Sequence, residues 1–109
     1  MHHEYPPQSD LERPLLRLIV KRGGTIYFSR DGDLIERELA DQFGLSKEAR
    51  EYSLERVRSK GHRCWRVHIQ FVRQKLEEKG EIDNNVHDRW KVMSAGYSRL
   101  GMQAPATAT

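Results

Sequence analysis

The stretch RCWRVHIQFVRQKLEEKGEID, residues 63–83, decides the fold. Trp65, Ile69, Val72 and Leu76 recur at i, i+4, i+7 and i+11, a single apolar stripe at the helical period. Lys79 complements the negative end of such a helix, and Gly80 suits the residue just past it. The period then changes. Glu81-Ile82-Asp83 reads as a short strand, Asn84 to Asp88 as a loop, and Arg89-Trp90-Lys91-Val92 alternates as a second strand. The sequence therefore predicts a helix over 63–79 that runs into a β-hairpin.

Upstream, Ser9-Asp10-Leu11-Glu12 has the form of a capping box, with Ser9 capping and Glu12 three residues on. Leu11, Leu15, Leu18 and Ile19 follow on one face, and Gly23-Gly24 stops a helix over about 10–22. Thr25-Ile26-Tyr27-Phe28 is a short strand and Ser29 to Asp33 a turn. A second helix runs from Asp33 through Leu34, Ile35, Leu39 and Phe43 to Gly44. Ser46 is a fresh N-cap, 46–60 a short helix and a loop, and Gly61 a break. Helix, strand, helix, short helix, helix, hairpin is an α+β winged helix-turn-helix: three main helices, a small antiparallel sheet and a C-terminal wing. Its domain spans 9–100, between a disordered 1–8 and a disordered tail or linker at 101–109.

Charge is unevenly placed along the 109 residues. Residues 56–79 hold eight Lys/Arg and two acids, a local +6 within a chain of net +3. Residues 1–55 hold eight basic and eleven acidic residues, and 80–109 hold three of each. A positive field focused on one element is the footprint expected for a polyanion, above all nucleic acid. Other classes find little support. The lone Cys64 forms no internal disulfide, which fits a reducing compartment and a cytoplasmic location. No apolar run approaches the length of a membrane span, and the N-terminus lacks a secretory pattern. The five His have no partners at metal-ligand spacing, no Gly-rich phosphate loop is present, and no cofactor is expected. Glu77-Glu78-Lys79 matches half of a metal-dependent nuclease motif but closes a helix rather than a strand, so no enzyme activity is expected.

Projected at about 100° per residue, the third helix turns Arg63, Arg66, Gln70, Arg73 and Gln74 about 80–180° away from its apolar stripe. Arg pairs bidentately with guanine and Gln with adenine, so these five are the candidate base readers of a duplex. Arg56, Arg58, Lys60 and His62 precede the helix and suit phosphates, while His87 and Arg89 place the wing near backbone or minor groove. This reading requires that Arg66 and Arg73 stand clear of the chain's own carboxylates.

The helix and hairpin, FVRQKLEEKGEI (71–82) and RWKVMSAG (89–96), together with Gly23-Gly24 and LADQFGLS (39–46), resemble the N-terminal domain of Mrr-type restriction-system proteins over about residues 10–100. The resemblance implies a bacterial or phage DNA-binding module, in such systems usually attached to a nuclease domain that cuts modified DNA. Glu81 stands where that family often has an apolar residue, and the wing is more polar than usual.

The rival reading is a protein–protein adaptor or small inhibitor that uses the same helix or wing to dock a partner protein. Val67 and Phe71 flank the core stripe and are expected to pack on the second helix or the 46–60 segment, with a homodimer surface as the rarer alternative. Trp90 is expected to cover the core rather than stack on bases.

Overall fold

The computed structural model describes residues 5–52 and 64–108. In chain order these form α1 (Gln8–Lys21), β1 (Thr25–Tyr27), α2 (Phe28–Gln42), α3 (Lys47–Glu51), α4 (Cys64–Glu78), β2 (Ile82–Asp83), β3 (Arg89–Val92) and α5 (Ser94–Arg99), closed by a 3-10 turn at Ala106–Ala108. The fold is mixed α+β. Among the described residues, five helices pack on one three-stranded antiparallel sheet of order β1-β3-β2.

The decisive stretch folds as its pattern demands. Trp65, Ile69, Val72 and Leu76 are all buried on α4, and each side chain removed from water contributes about 1.5–3 kcal/mol. They face Leu11, Leu15, Leu16 and Ile19 of α1 in one core with Ile35 and Leu39 of α2. Gly80, at φ +74°, takes the left-handed conformation that ends α4. The hairpin forms as expected, and β1 supplies the third strand. Ile26 pairs with Trp90 and Ile82 with Val92, which puts these four buried side chains on the inner face of the sheet. Thr25, Tyr27, Asp83, Arg89 and Lys91 alternate to the other face. Ser46 caps α3 by accepting from the Ala49 N–H at 3.1 Å.

Several boundaries differ, each for a physical reason. The capping box at Ser9 does not form: α1 begins at Gln8 after Pro7, with no side-chain cap. Glu12 is buried instead, and its carboxylate accepts from Lys79 at 2.7 Å and meets Arg99 at 2.6 Å. Two charge-assisted bonds in a sheltered site outweigh one bond to an exposed backbone N–H. Burial alone would raise the Glu12 carboxyl, but the hydrogen bonds from Lys79 and Arg99 prevail and hold it below the ordinary carboxylate range. The second helix starts at Phe28, five residues earlier than Asp33, because the Asp88 carboxylate accepts from both the Ser29 N–H (3.0 Å) and hydroxyl (2.5 Å). A residue far along the chain thus caps α2.

Helix α5 has no counterpart in the sequence reading. Gly96 lets it close on the sheet: a Cβ there would stand 2.7 Å from both the Glu81 carbonyl oxygen and Val92 Cγ1. The segments expected to be disordered pack in part. Tyr5 rests 5.2 Å from the Trp65 ring and donates its hydroxyl to the Ala49 carbonyl at 2.6 Å. At the other end Ala108 is buried in the core, and its carbonyl accepts from the Ser94 hydroxyl at 3.1 Å. None of the helices of the described residues is long and apolar enough to cross a membrane.

Candidate nucleic-acid interface

Helix α4 is held at a fixed roll about its own axis. Its buried stripe faces α1, and the Trp65 indole N–H donates to the Glu36 carbonyl of α2 at 2.9 Å. A buried indole needs that acceptor, so the bond sets which side chains of α4 face outward.

Two of the expected base readers do not face outward. Arg66 is only 20% exposed; its guanidinium pairs with Asp33 at 3.0 Å and with Glu36, and lies 4.5 Å over the Phe28 ring. Arg73 is 19% exposed, pairs with Glu77 at 2.5 Å, and lies 5.8 Å from the Trp90 ring. The Arg73 Nε is buried with no hydrogen-bond partner among the described residues. The condition that Arg66 and Arg73 stand clear of the chain's own carboxylates is therefore not met. Both lie on the flank of α4 that faces α2 and β3, where carboxylates and aromatic faces offer more than water does. Helical projection gives a direction but not a neighbour.

Trp90 takes the core position expected of it, 3% exposed, and its indole stacks on Phe28 with centroids 4.2 Å apart. The two arginines therefore close over a stacked aromatic pair that joins the start of α2 to β3. Gly32 lies beneath this clasp, since a Cβ there would be 2.6 Å from Arg66 Nη2.

The outward face of α4 carries other groups. Gln74 is exposed and Gln70 half-buried, and neither amide has a hydrogen-bond partner among the described residues. Between them Phe71 is 43% exposed, contrary to the expectation that it packs internally, and Val67 one turn earlier is half-buried. Lys75 is exposed beside them.

In the β2–β3 hairpin, Asp88 has φ +69° and turns its carboxylate to Ser29. The side-chain hydrogen bond from Ser29, joined by its backbone N–H, holds the Asp88 carboxyl below the usual range. His87 beside it is exposed, whereas Arg89 pairs with Asp83 at 3.4 Å across the hairpin. Arg56, Arg58, Lys60, His62 and Arg63 lie outside the described residues.

Besides Lys75, cations with no ion pair among the described residues stand on other elements. Arg13, Arg17 and Lys21 are exposed along α1, and Arg37, Lys47 and Lys91 are single positions on α2, α3 and β3. The α1 group is legible in the sequence as an i, i+4, i+8 series, masked by the acidic excess of residues 1–55 around it. No group of His, Cys, Asp or Glu among the described residues is arranged to hold a metal ion. No protein-family model matches the chain, and neither does any curated protein or solved structure.

Proposed function

We propose that the chain is a winged-helix module that binds duplex DNA and serves a restriction or other DNA-processing system. Helix α4 is its groove-entering element and the β2–β3 hairpin its wing. One observation carries the reading: the segment with a local +6 ends in a helix whose outward face keeps two amides, Gln70 and Gln74, free of internal bonds. Free amides on such a face suit the N6 and N7 edge of adenine, and Phe71 between them suits a thymine methyl. The pairing of Arg66 with Asp33 and Glu36 and of Arg73 with Glu77 removes the guanidinium readout expected from the sequence, and the proposal rests instead on Gln70, Gln74 and the basic residues before α4. Phosphate contacts fall to the basic residues that precede α4, Arg56, Arg58 and Lys60, and to His87 at the wing.

Fluorescence anisotropy with a labelled duplex, titrated across salt, tests this. Affinity should fall steeply with salt, as counterion release requires. Replacing both Gln70 and Gln74 by Ala should cost about 1–3 kcal/mol of discrimination for each bidentate pair lost, and should leave the salt slope alone. No binding at low salt, or binding indifferent to salt, would end the proposal.

A second reading, docking of a protein partner, is favoured by Phe71 itself, one of few large apolar side chains exposed among the described residues. A dimer in solution that Phe71→Ser returns to monomer, with duplex affinity unchanged, would favour that alternative.

A further inference from the structure

Helix α1 presents a row of positive charge on the side away from the core. Arg13, Arg17 and Lys21 are exposed, stand four residues apart, and have no ion pair among the described residues. Four residues advance a helix by about 6 Å, so the row is nearly straight and evenly spaced. The buried side of the same helix, Leu11, Leu15, Leu18 and Ile19, points the opposite way. Arg13 and Arg17 also line a basin with Asp10, Phe43 and Arg99, the last of which is already paired with Glu12 and Glu81.

We infer that this row is a second phosphate-binding surface, which grips the backbone of a DNA duplex. The inference rests on the reading of the partner as duplex DNA and adds a contact surface to it. Two features favour phosphates over other anionic partners. The exposed large apolar side chains of the described residues are Tyr27, Phe71, Val86 and Met102, and none is on α1. A protein interface draws its energy from buried aromatic or apolar anchors, and a helix lying on a membrane needs an apolar face turned outward. This row has neither, because the apolar side of α1 is already in the core. A linear polyanion bound by charge alone needs no such anchor. The cations are also free, whereas those of α4 at Arg66 and Arg73 are engaged within the chain.

The test compares the full-length chain with two charge-matched variants, using a 20-base-pair duplex and anisotropy across salt. In the first, Arg13, Arg17 and Lys21 become Gln; in the second, Arg37, Lys47 and Lys91 become Gln. Each phosphate contact contributes about 0.9 to the slope of log affinity against log salt, so the first variant should lose about 2–3 from that slope. The second should lose less than about 1. All six positions are on the surface or half-buried, and equal melting temperatures will show that both variants fold. If the parent chain binds duplex while the first variant keeps its slope, the α1 surface is excluded and the reading of α4 stands. Equal loss in both variants overturns it too, because net charge would then be the cause. Binding of polyglutamate as tight as that of duplex overturns it in favour of an acidic protein partner. A parent chain that ignores duplex at low salt overturns both readings.

Discussion

The Phe28 ring lies almost flat against the Trp90 indole, centroids 4.2 Å apart and planes 13° from parallel. Phe28 opens α2 and Trp90 lies in the central strand, so this contact fastens the start of one helix to the middle of the sheet. Arg66 and Arg73 of α4 lie over its two rings. Replacing Trp90 by Ala should therefore do more than open a cavity, because it also removes the surface that Arg73 lies on. We expect a loss of about 3–5 kcal/mol of unfolding free energy, read from urea denaturation at unchanged m-value.

Gly32 and Arg66 should be coupled. A Cβ at position 32 collides with Arg66 Nη2, yet position 32 is inside a helix, where Ala is favoured over Gly by about 1 kcal/mol. Gly32→Ala should thus stabilise the Arg66→Ala background by about that amount and help less, or harm, with Arg66 in place. A double-mutant cycle of urea midpoints measures the coupling. Additive effects would show that the guanidinium does not rest on Gly32.

Acid should weaken the fold through Glu12, Asp31 and Asp88. All three carboxyls are held below their ordinary range in the folded state: Glu12 by Lys79 and Arg99 against its burial, Asp31 by Arg30, Asp88 by Ser29. On acidification the unfolded chain takes up protons first, near pH 4 or just above. Their stabilisation is therefore complete above that pH and declines as pH falls through the folded-state values. Urea midpoints between pH 7 and pH 2.5 should drop on the acid side, and Glu12→Gln should flatten part of that drop. The same variant should be less stable at pH 7, since Lys79 and Arg99 lose their shared partner. Arg99, raised chiefly by its bond to Glu81, stays charged throughout this range and adds no slope of its own.

Gly96→Ala should destabilise. Its Cβ would meet a backbone oxygen at Glu81 as well as Val92 and Leu16, and backbone yields less readily than the end of a side chain. A cost of about 1–3 kcal/mol is expected from overpacking, with a lower melting temperature as the readout.

The parts of the fold legible in the sequence were those governed by local period. The α4 stripe, its stop at Gly80, the alternating Arg89–Val92 strand and the Ser46 cap each depend on residues within a turn or two of one another. The start of α2 was not legible, because Tyr27-Phe28 looks like strand and its cap, Asp88, is contributed from 59 residues away. Helix α5 is six residues of mostly small polar side chains, with no apolar stripe to announce it. At the candidate site, Gln74 is exposed as projection predicts, while Gln70 is half-buried. Half of the Arg73 outcome was visible, since Glu77 follows at i+4. The Arg66 outcome was not, because Asp33 and Glu36 become its neighbours only when α2 packs beside α4.

The Asp88 carboxylate gives the hairpin tip an anchored end and a loose end. An epitope or cross-linker placed at Asn85 or Val86, both exposed, meets open solvent and leaves that anchor in register. One residue inserted between His87 and Arg89 would shift the anchor along the chain and fray the beginning of α2, a helix nearly sixty positions upstream. Grafting onto this tip is thus a design problem with one permissive side.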